Sequence, residues 1–312
     1  MRKKVSIVIP MYNSEKHIQN ALESVKKQSY DNIEVIVVDD GSADGSLELV
    51  KKYARDNKRI KVYARKNHGV SATRNYGILK STGDFVFFLD ADDTIDSGVI
   101  EALIKKAADD VLVSCRIQFV EKDAKKPVLC KSVYSSDEFV KGSAENNNDI
   151  HGYSCGFLFD KKLCPSFNEN IGYCEDILFL LGYILNNNIK KICYLDGKSG
   201  YYNYVQNIES ATLSDKNVLK KIKSIALAMD ELEALTDKKY SDFVEEKKML
   251  LFKYEMSRAT KADIVKILQE YELKKYTGKS LRCKIFSYSF RKKRLLLLLL
   301  QFRAKKILRR FI

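Results

Sequence analysis

The sequence predicts an α/β fold with a helical extension at its C-terminal side, on three observations. Short apolar runs alternate with helical stripes through the first third of the chain. The second and fourth of those runs end in carboxylates. From Lys216 onward, Val218, Ile222, Ile225, Met229 and Leu232 recur at three- and four-residue steps, which predicts a helix packed on a core.

Val5–Pro10 reads as the first strand. The preceding Arg2-Lys3-Lys4 imitates the start of a signal peptide, but the apolar segment is short, contains Pro10 and leads to no small-residue cleavage site. A cytoplasmic protein is therefore expected. Ile18, Leu22 and Val25 mark a first helix, with Asn13 or Ser14 available as its N-cap. Ile33–Val38 is the second strand; Leu47, Val50 and Ala54 mark the second helix. Ile60–Ala64 and Phe85–Leu89 complete the set of strands. Their β-branched and aromatic character, with no hairpin signal between them, suits a buried parallel sheet. The stretch 96–210 is less regular, with a polar loop over 142–149, a helix over 176–186 and a Tyr-rich run at Tyr201, Tyr202 and Tyr204.

The chain has 312 residues and a net charge of +14, with 45% hydrophobic and 31% charged residues. This composition excludes global disorder, and no apolar run reaches the roughly 20 residues needed to cross a bilayer. Residues 273–312 hold 14 of the 55 Lys and Arg and no acidic residue, so the other 41 basic residues face 41 acidic ones in the body. A neutral body argues against a nucleic-acid enzyme and for a catalytic body with a basic address. On a helix, Leu297, Leu300, Ala304, Ile307, Leu308 and Phe311 gather opposite Arg303, Lys305, Lys306, Arg309 and Arg310. Such opposed faces describe a helix lying in an anionic membrane surface, the alternative being a helix packed on the body with a solvated basic face. The seven cysteines form no C-x-x-C pair, which points to reduced thiols rather than a zinc site or a disulfide framework.

Parallel strands would bring Asp39-Asp40 and Asp90, Asp92 and Asp93 to one rim of the sheet. A D-x-D at such a place suits Mn²⁺ or Mg²⁺, which takes few protein carboxylates and fills its shell with phosphate oxygens. Neither a G-x-G-x-x-G after the first strand nor a G-x-x-x-x-G-K-[ST] occurs, which disfavours dinucleotide dehydrogenases and P-loop NTPases.

The stretches VSIVIPMYN (5–13), VIVVDDGSADGS (35–46), NHGVSATRNYGILKSTGDFVFFLDADD (67–93) and CEDILF (174–179) follow one another in the order and spacing of a known family. The chain resembles the family 2 glycosyltransferases of bacterial surface-polysaccharide type, with the GT-A fold, over residues 1–210. The resemblance implies a mixed sheet with a Rossmann-like half over 1–95 and an acceptor-binding half over 96–212, while the residues themselves give the helical extension over 213–272 and the basic tail over 273–312. It implies that the Pro10–Tyr12 turn and Asp40 hold the donor's base, with Asp39 assisting. A carboxylate accepting a uracil N–H favours a UDP-sugar donor. Arg74 would approach the nucleotide or diphosphate. Asp90 would contact ribose with Ala91 beside it, Asp92 would ligate the cation, and Asp93 would act from behind. Asp176 would be the base of an inverting transfer and Glu175 would orient the acceptor. The expected partners are a nucleotide-sugar, a glycan or lipid-linked glycan acceptor, and the inner face of the cell membrane. Three features qualify this. No Arg follows the Tyr-rich run, His68 lies near the diphosphate stretch, and His151 is a weak candidate ligand. The competing expectations are a nucleotide-sugar or glycan-binding scaffold at the membrane and, with less support, a sugar-phosphate nucleotidyltransferase.

Overall fold

The computed structural model describes residues 2–121, 124–144, 150, 152–205, 217–236, 239–271, 286 and 290. His151 and nearly all of the basic tail fall outside these residues, so the sequence readings made there have no structural counterpart. The chain begins β1 (Val5–Met11), α1 (Ile18–Lys26), β2 (Ile33–Asp39), α2 (Ser46–Asp56), β3 (Ile60–Ala64), α3 (Val70–Lys80) and β4 (Phe85–Phe88). It continues through β5 (Thr94–Ile95), α4 (Val99–Lys106), β6 (Val111–Ser114), β7 (Arg116–Glu121), β8 (Ala124–Pro127), β9 (Val133–Ser135) and α5 (Ser136–Ala144). Then follow β10 (Phe157–Asp160), α6 (Glu175–Asn186), β11 (Lys191–Tyr194) and β12 (Tyr201–Val205). The helices α7 (Val218–Leu235), α8 (Ser241–Met256) and α9 (Lys261–Glu270) close the described chain. Two compact units result, one drawn from residues 1–143 and 147–210 and the other from 144–146 and 211–312.

In the first unit, eight strands form a sheet in the order β3-β2-β1-β4-β10-β6-β11-β9. The first four in that order are mutually parallel, and β10 runs antiparallel to both β4 and β6. A smaller sheet has the order β5-β12-β7-β8. The architecture is thus mixed α/β with helices at the C-terminal end, as the sequence predicts. Ile7, Ile9, Val35, Val37 and Phe87 are fully or almost fully buried, which explains why these strands read as continuous apolar runs.

Register decides what meets at the rim. Met11 pairs with Asp39, and the Asp40 amide donates to the Met11 carbonyl at 2.8 Å. Val8 pairs with Phe88, so the loops after β1, β2 and β4 emerge side by side. The predicted N-cap of α1 is not formed. His17 takes that position without a side-chain bond, while Asn13 and Ser14 tie the first rim loop to the second. Asn13 Oδ1 accepts from the Ala43 amide at 2.8 Å, and the Ser14 amide donates to Ser46 Oγ at 2.7 Å.

Helix α3 follows Gly69, whose φ of +89° is open to glycine and costly for other residues. Ser71, Thr73, Arg74 and Gly77 are buried on it, so the helix shows no apolar stripe in the sequence. Gly77 lets α3 lie on β1, because a Cβ there would overlap Val8 Cγ1. Gly77→Ala is expected to lift α3 and to cost about 1–3 kcal/mol. Urea unfolding checks this, as a lower midpoint at unchanged slope.

Candidate active site

The side chain of Arg74 stands at the centre of the rim and is only 4% exposed. Its Nη1 lies 3.0 Å from Glu175 Oε1 and 3.1 Å from Asp176 Oδ1, and its Nη2 lies 3.1 Å from Asp90 Oδ1. Its Nε is buried without a hydrogen-bond partner among the described residues, and the guanidinium carbon sits 5.4 Å from the centre of the Phe167 ring. Burial opposes the charged guanidinium, but Asp176, Asp90 and Glu175 outweigh it and hold Arg74 well above its ordinary pKa. It is a fixed cation.

Within the protein, both Nη groups of Arg74 meet carboxylates. Asp40 is likewise held by protein groups. It is 3% exposed, and its two oxygens accept from the His68 and Gly69 amides at 3.0 and 2.8 Å. Asp40 therefore fixes the entry to α3, and a base could reach it only as an additional donor on oxygens already in use. Asp39, 2% exposed, accepts from the Ser42 amide at 3.3 Å. Pro10 is half-buried at the end of β1, and Tyr12, 53% exposed, stands open on the same rim.

Asp90 and Asp92 remain half-buried after β4, with Ala91 buried between them. Asp93 is 1% exposed, and its two oxygens accept from the Tyr202 hydroxyl at 2.7 Å and the Val205 amide at 2.8 Å. Tyr202 Oη also accepts from the Asp90 amide at 3.1 Å, so this one phenol braces the whole D-A-D-D turn. Burial, then the charges of Asp90 and Asp92, push the Asp93 carboxyl well above its ordinary range. Nothing in the sequence linked Tyr202 to this turn; the pairing of β12 with β5 brings it there.

Among the described residues, no three His, Cys, Asp or Glu side chains converge into a metal cage. With Asp93 engaged elsewhere, Asp90 and Asp92 remain at the rim. That sparse donor set fits a hard cation that draws its other ligands from phosphate and water, and it does not fit a closed structural site.

Glu175 and Asp176 open α6, after Cys174 in a left-handed conformation (φ 71°). Burial and the neighbouring Asp176 charge push the Glu175 carboxyl up to about 7, against the pull of Arg74. Asp176 is more open, and its Oδ1 accepts from the hydroxyl of Ser154 and, at 3.3 Å, from the Ser154 amide.

The sequence model of Glycosyl transferase family 2 matches residues 6–166. The chain belongs to this family. It is 40% identical over 165 residues to EpsH of Bacillus subtilis, covering 51% of this chain and 47% of EpsH. It is 29% identical over 249 residues to the cholesterol galactosyltransferase of Borreliella burgdorferi, covering 74% of this chain and 67% of that one. The chain thus spans about half the length of EpsH, and its match to the glycosyltransferase GlyA of Streptococcus pneumoniae covers 18% of that protein. Among solved structures, residues 1–349 of S. aureus TarS superpose with a TM-score of 0.62 at 20% identity, covering 93% of this chain and 92% of that one. The mannosyltransferase PcManGT of Pyrobaculum calidifontis superposes with a TM-score of 0.57 at 15% identity, covering 98% and 88%. At such identity these likenesses establish the GT-A fold. Among the described residues, no helix is long and apolar enough to cross a membrane.

The Glu175 carboxyl gives a pH signature. Its folded value of about 7 lies above the ordinary 4.5, so between those limits the folded state keeps a proton that the unfolded chain has lost. The stabilisation is complete below about 4.5 and is lost as the pH rises toward about 7. Glu175→Gln removes this dependence. Thermal melts at pH 5 and pH 8 are expected to show the variant gaining on the native protein at the higher pH.

Proposed function

We propose that this glycosyltransferase moves a sugar from a UDP-sugar to a hydroxyl of a glycan acceptor, lipid-linked, with inversion, at the inner membrane face in surface-polysaccharide assembly. The observation that carries this reading is the ion cluster of Arg74, which ties the donor-side carboxylate Asp90 to the Glu175-Asp176 pair. Donor and acceptor chemistry are thereby held in one frame.

In this reading Tyr12 stacks on the base from the open rim, and Asp39 and Asp40 accept from it. Asp90 and Ala91 face the ribose side. Asp92 would hold Mn²⁺ or Mg²⁺, which when bound would supply positive charge against the negative charge building on the departing diphosphate. Arg74 contributes by keeping Asp176 and Glu175 in place. Asp176 Oδ2 takes the proton of the acceptor hydroxyl as its oxygen bonds to the anomeric carbon. The bond from that carbon to the diphosphate oxygen breaks, and UDP leaves with the electron pair. Attack and departure on opposite faces invert the configuration. Glu175, held by Arg74, orients the acceptor.

Support comes from several sides. TarS has been crystallised with UDP-GlcNAc and with UDP, and PcManGT with GDP-Man and Mn²⁺. The Borreliella relative is named a cholesterol galactosyltransferase. The acid-free composition of residues 273–312 suits an anionic membrane surface.

Thermal stability with a panel of nucleotides and nucleotide-sugars, with and without Mn²⁺, tests the donor assignment. A ligand at about 100 times its Kd is expected to add about 2.7 kcal/mol, for UDP compounds and only with the cation. Absence of any shift overturns the donor site. Asp176→Asn is expected to lower turnover about 10²–10⁴-fold with donor binding intact; unchanged turnover overturns the base.

A further inference from the structure

Asp176 Oδ1 receives three donors: the Ser154 hydroxyl, the Ser154 amide at 3.3 Å and Arg74 Nη1 at 3.1 Å. Oδ2 meets no hydrogen-bond partner among the described residues. One oxygen is saturated and the other is left for chemistry. Arg74 cannot enforce this asymmetry alone, because the same guanidinium also serves Asp90 and Glu175. Ser154 has no such division, since its hydroxyl is directed at Asp176.

Ser154 is itself held from both sides. It is fully buried, at 0% exposure. On its N-terminal side, a Cβ on Gly152 would come within 3.1 Å of Ile177, so this segment lies directly on the first turn of α6. On its C-terminal side, the Gly156 carbonyl accepts from the Cys115 amide at 3.0 Å and from Ser114 Oγ at 3.1 Å, just before β10 joins the central sheet. A short segment pinned to the sheet and to α6 thus presents a hydroxyl and an amide to one carboxylate oxygen.

We infer that Ser154 is a positioning residue for the Asp176 base. By fixing rotation of the carboxylate about Cβ–Cγ, it keeps Oδ2 toward the incoming acceptor hydroxyl and Oδ1 toward the protein. This inference rests on the reading of Asp176 as the base. It assigns to Ser154 no contact with donor or acceptor, so it predicts a change in turnover without a change in donor binding.

The test uses the full chain, with UDP release from the UDP-sugar that gives the largest cation-dependent stabilisation as the rate, and water as acceptor. Ser154→Ala is expected to lower kcat about 10- to 100-fold while donor KM and the calorimetric Kd for UDP stay at the native values. Ser154→Cys, similar in volume but a weak donor, is expected to fall with Ala while melting like the native enzyme. Ser154→Thr, which keeps the hydroxyl, is expected to recover most of the rate. Native kcat in both the Ala and Cys variants overturns the inference. So does a rise in donor KM that parallels the loss of rate, which would mark a structural role. Native turnover in Asp176→Asn overturns the base reading itself, whatever Ser154 does. A panel in which no UDP-sugar binds overturns the donor reading and the inference with it.

Discussion

A guanidinium taken out of water and placed among three carboxylates is the constraint on which the rest of the site depends. Desolvating Arg74 costs several kcal/mol, and its Coulombic return depends on all three partners being present at the right distance. Those partners come from the end of β4 and the first turn of α6, 16 to 102 positions further along the chain. The cation must be delivered to that point. Asp40 does so by gripping the His68 and Gly69 amides, Gly69 by starting α3 in a left-handed conformation, and Gly77 by seating the helix on β1. Three residues from the motif-bearing stretches therefore act through Arg74 and not at the substrate surface alone.

The carboxylates divide their labour by burial. Asp93 is buried against Tyr202 and Val205 and retains its proton more readily than an ordinary carboxyl, while Asp90 and Asp92 remain at the rim. Glu175 is buried and displaced toward neutrality, while Asp176 beside it is the more open of the two. In each group one carboxyl is buried among protein groups and another is more open. Adjacent acidic residues in different surroundings can therefore carry different roles.

The family match ends at residue 166, before Glu175 and Asp176. Family membership thus covers the strands and loops up to β10, and Glu175 and Asp176 are tied to them by position within the fold. Arg74 joins the two parts, since it lies inside the matched segment and bonds to residues outside it. Asp90 and the Glu175-Asp176 pair share one electrostatic unit, although only the first is covered by the family match.

The sequence by itself determined the strands β1 to β4, their parallel order and the carboxylates after them, because a period-free apolar run and a motif at its end are both local signals. It also placed the helix that Glu175 and Asp176 begin, since an acidic first turn before an apolar run is visible in a dozen residues. What it could not determine was whom each side chain meets. Arg74 reads as a free cation until α3 packs on β1. Asp40 reads as a free acceptor until the 68–69 turn folds over it. Ser154 and Tyr202 carry no motif, and they reach Asp176 and Asp93 only through β10 and β12. Hydrogen-bond partners 22 and 109 residues apart leave no periodicity behind, so only the tertiary structure could decide them.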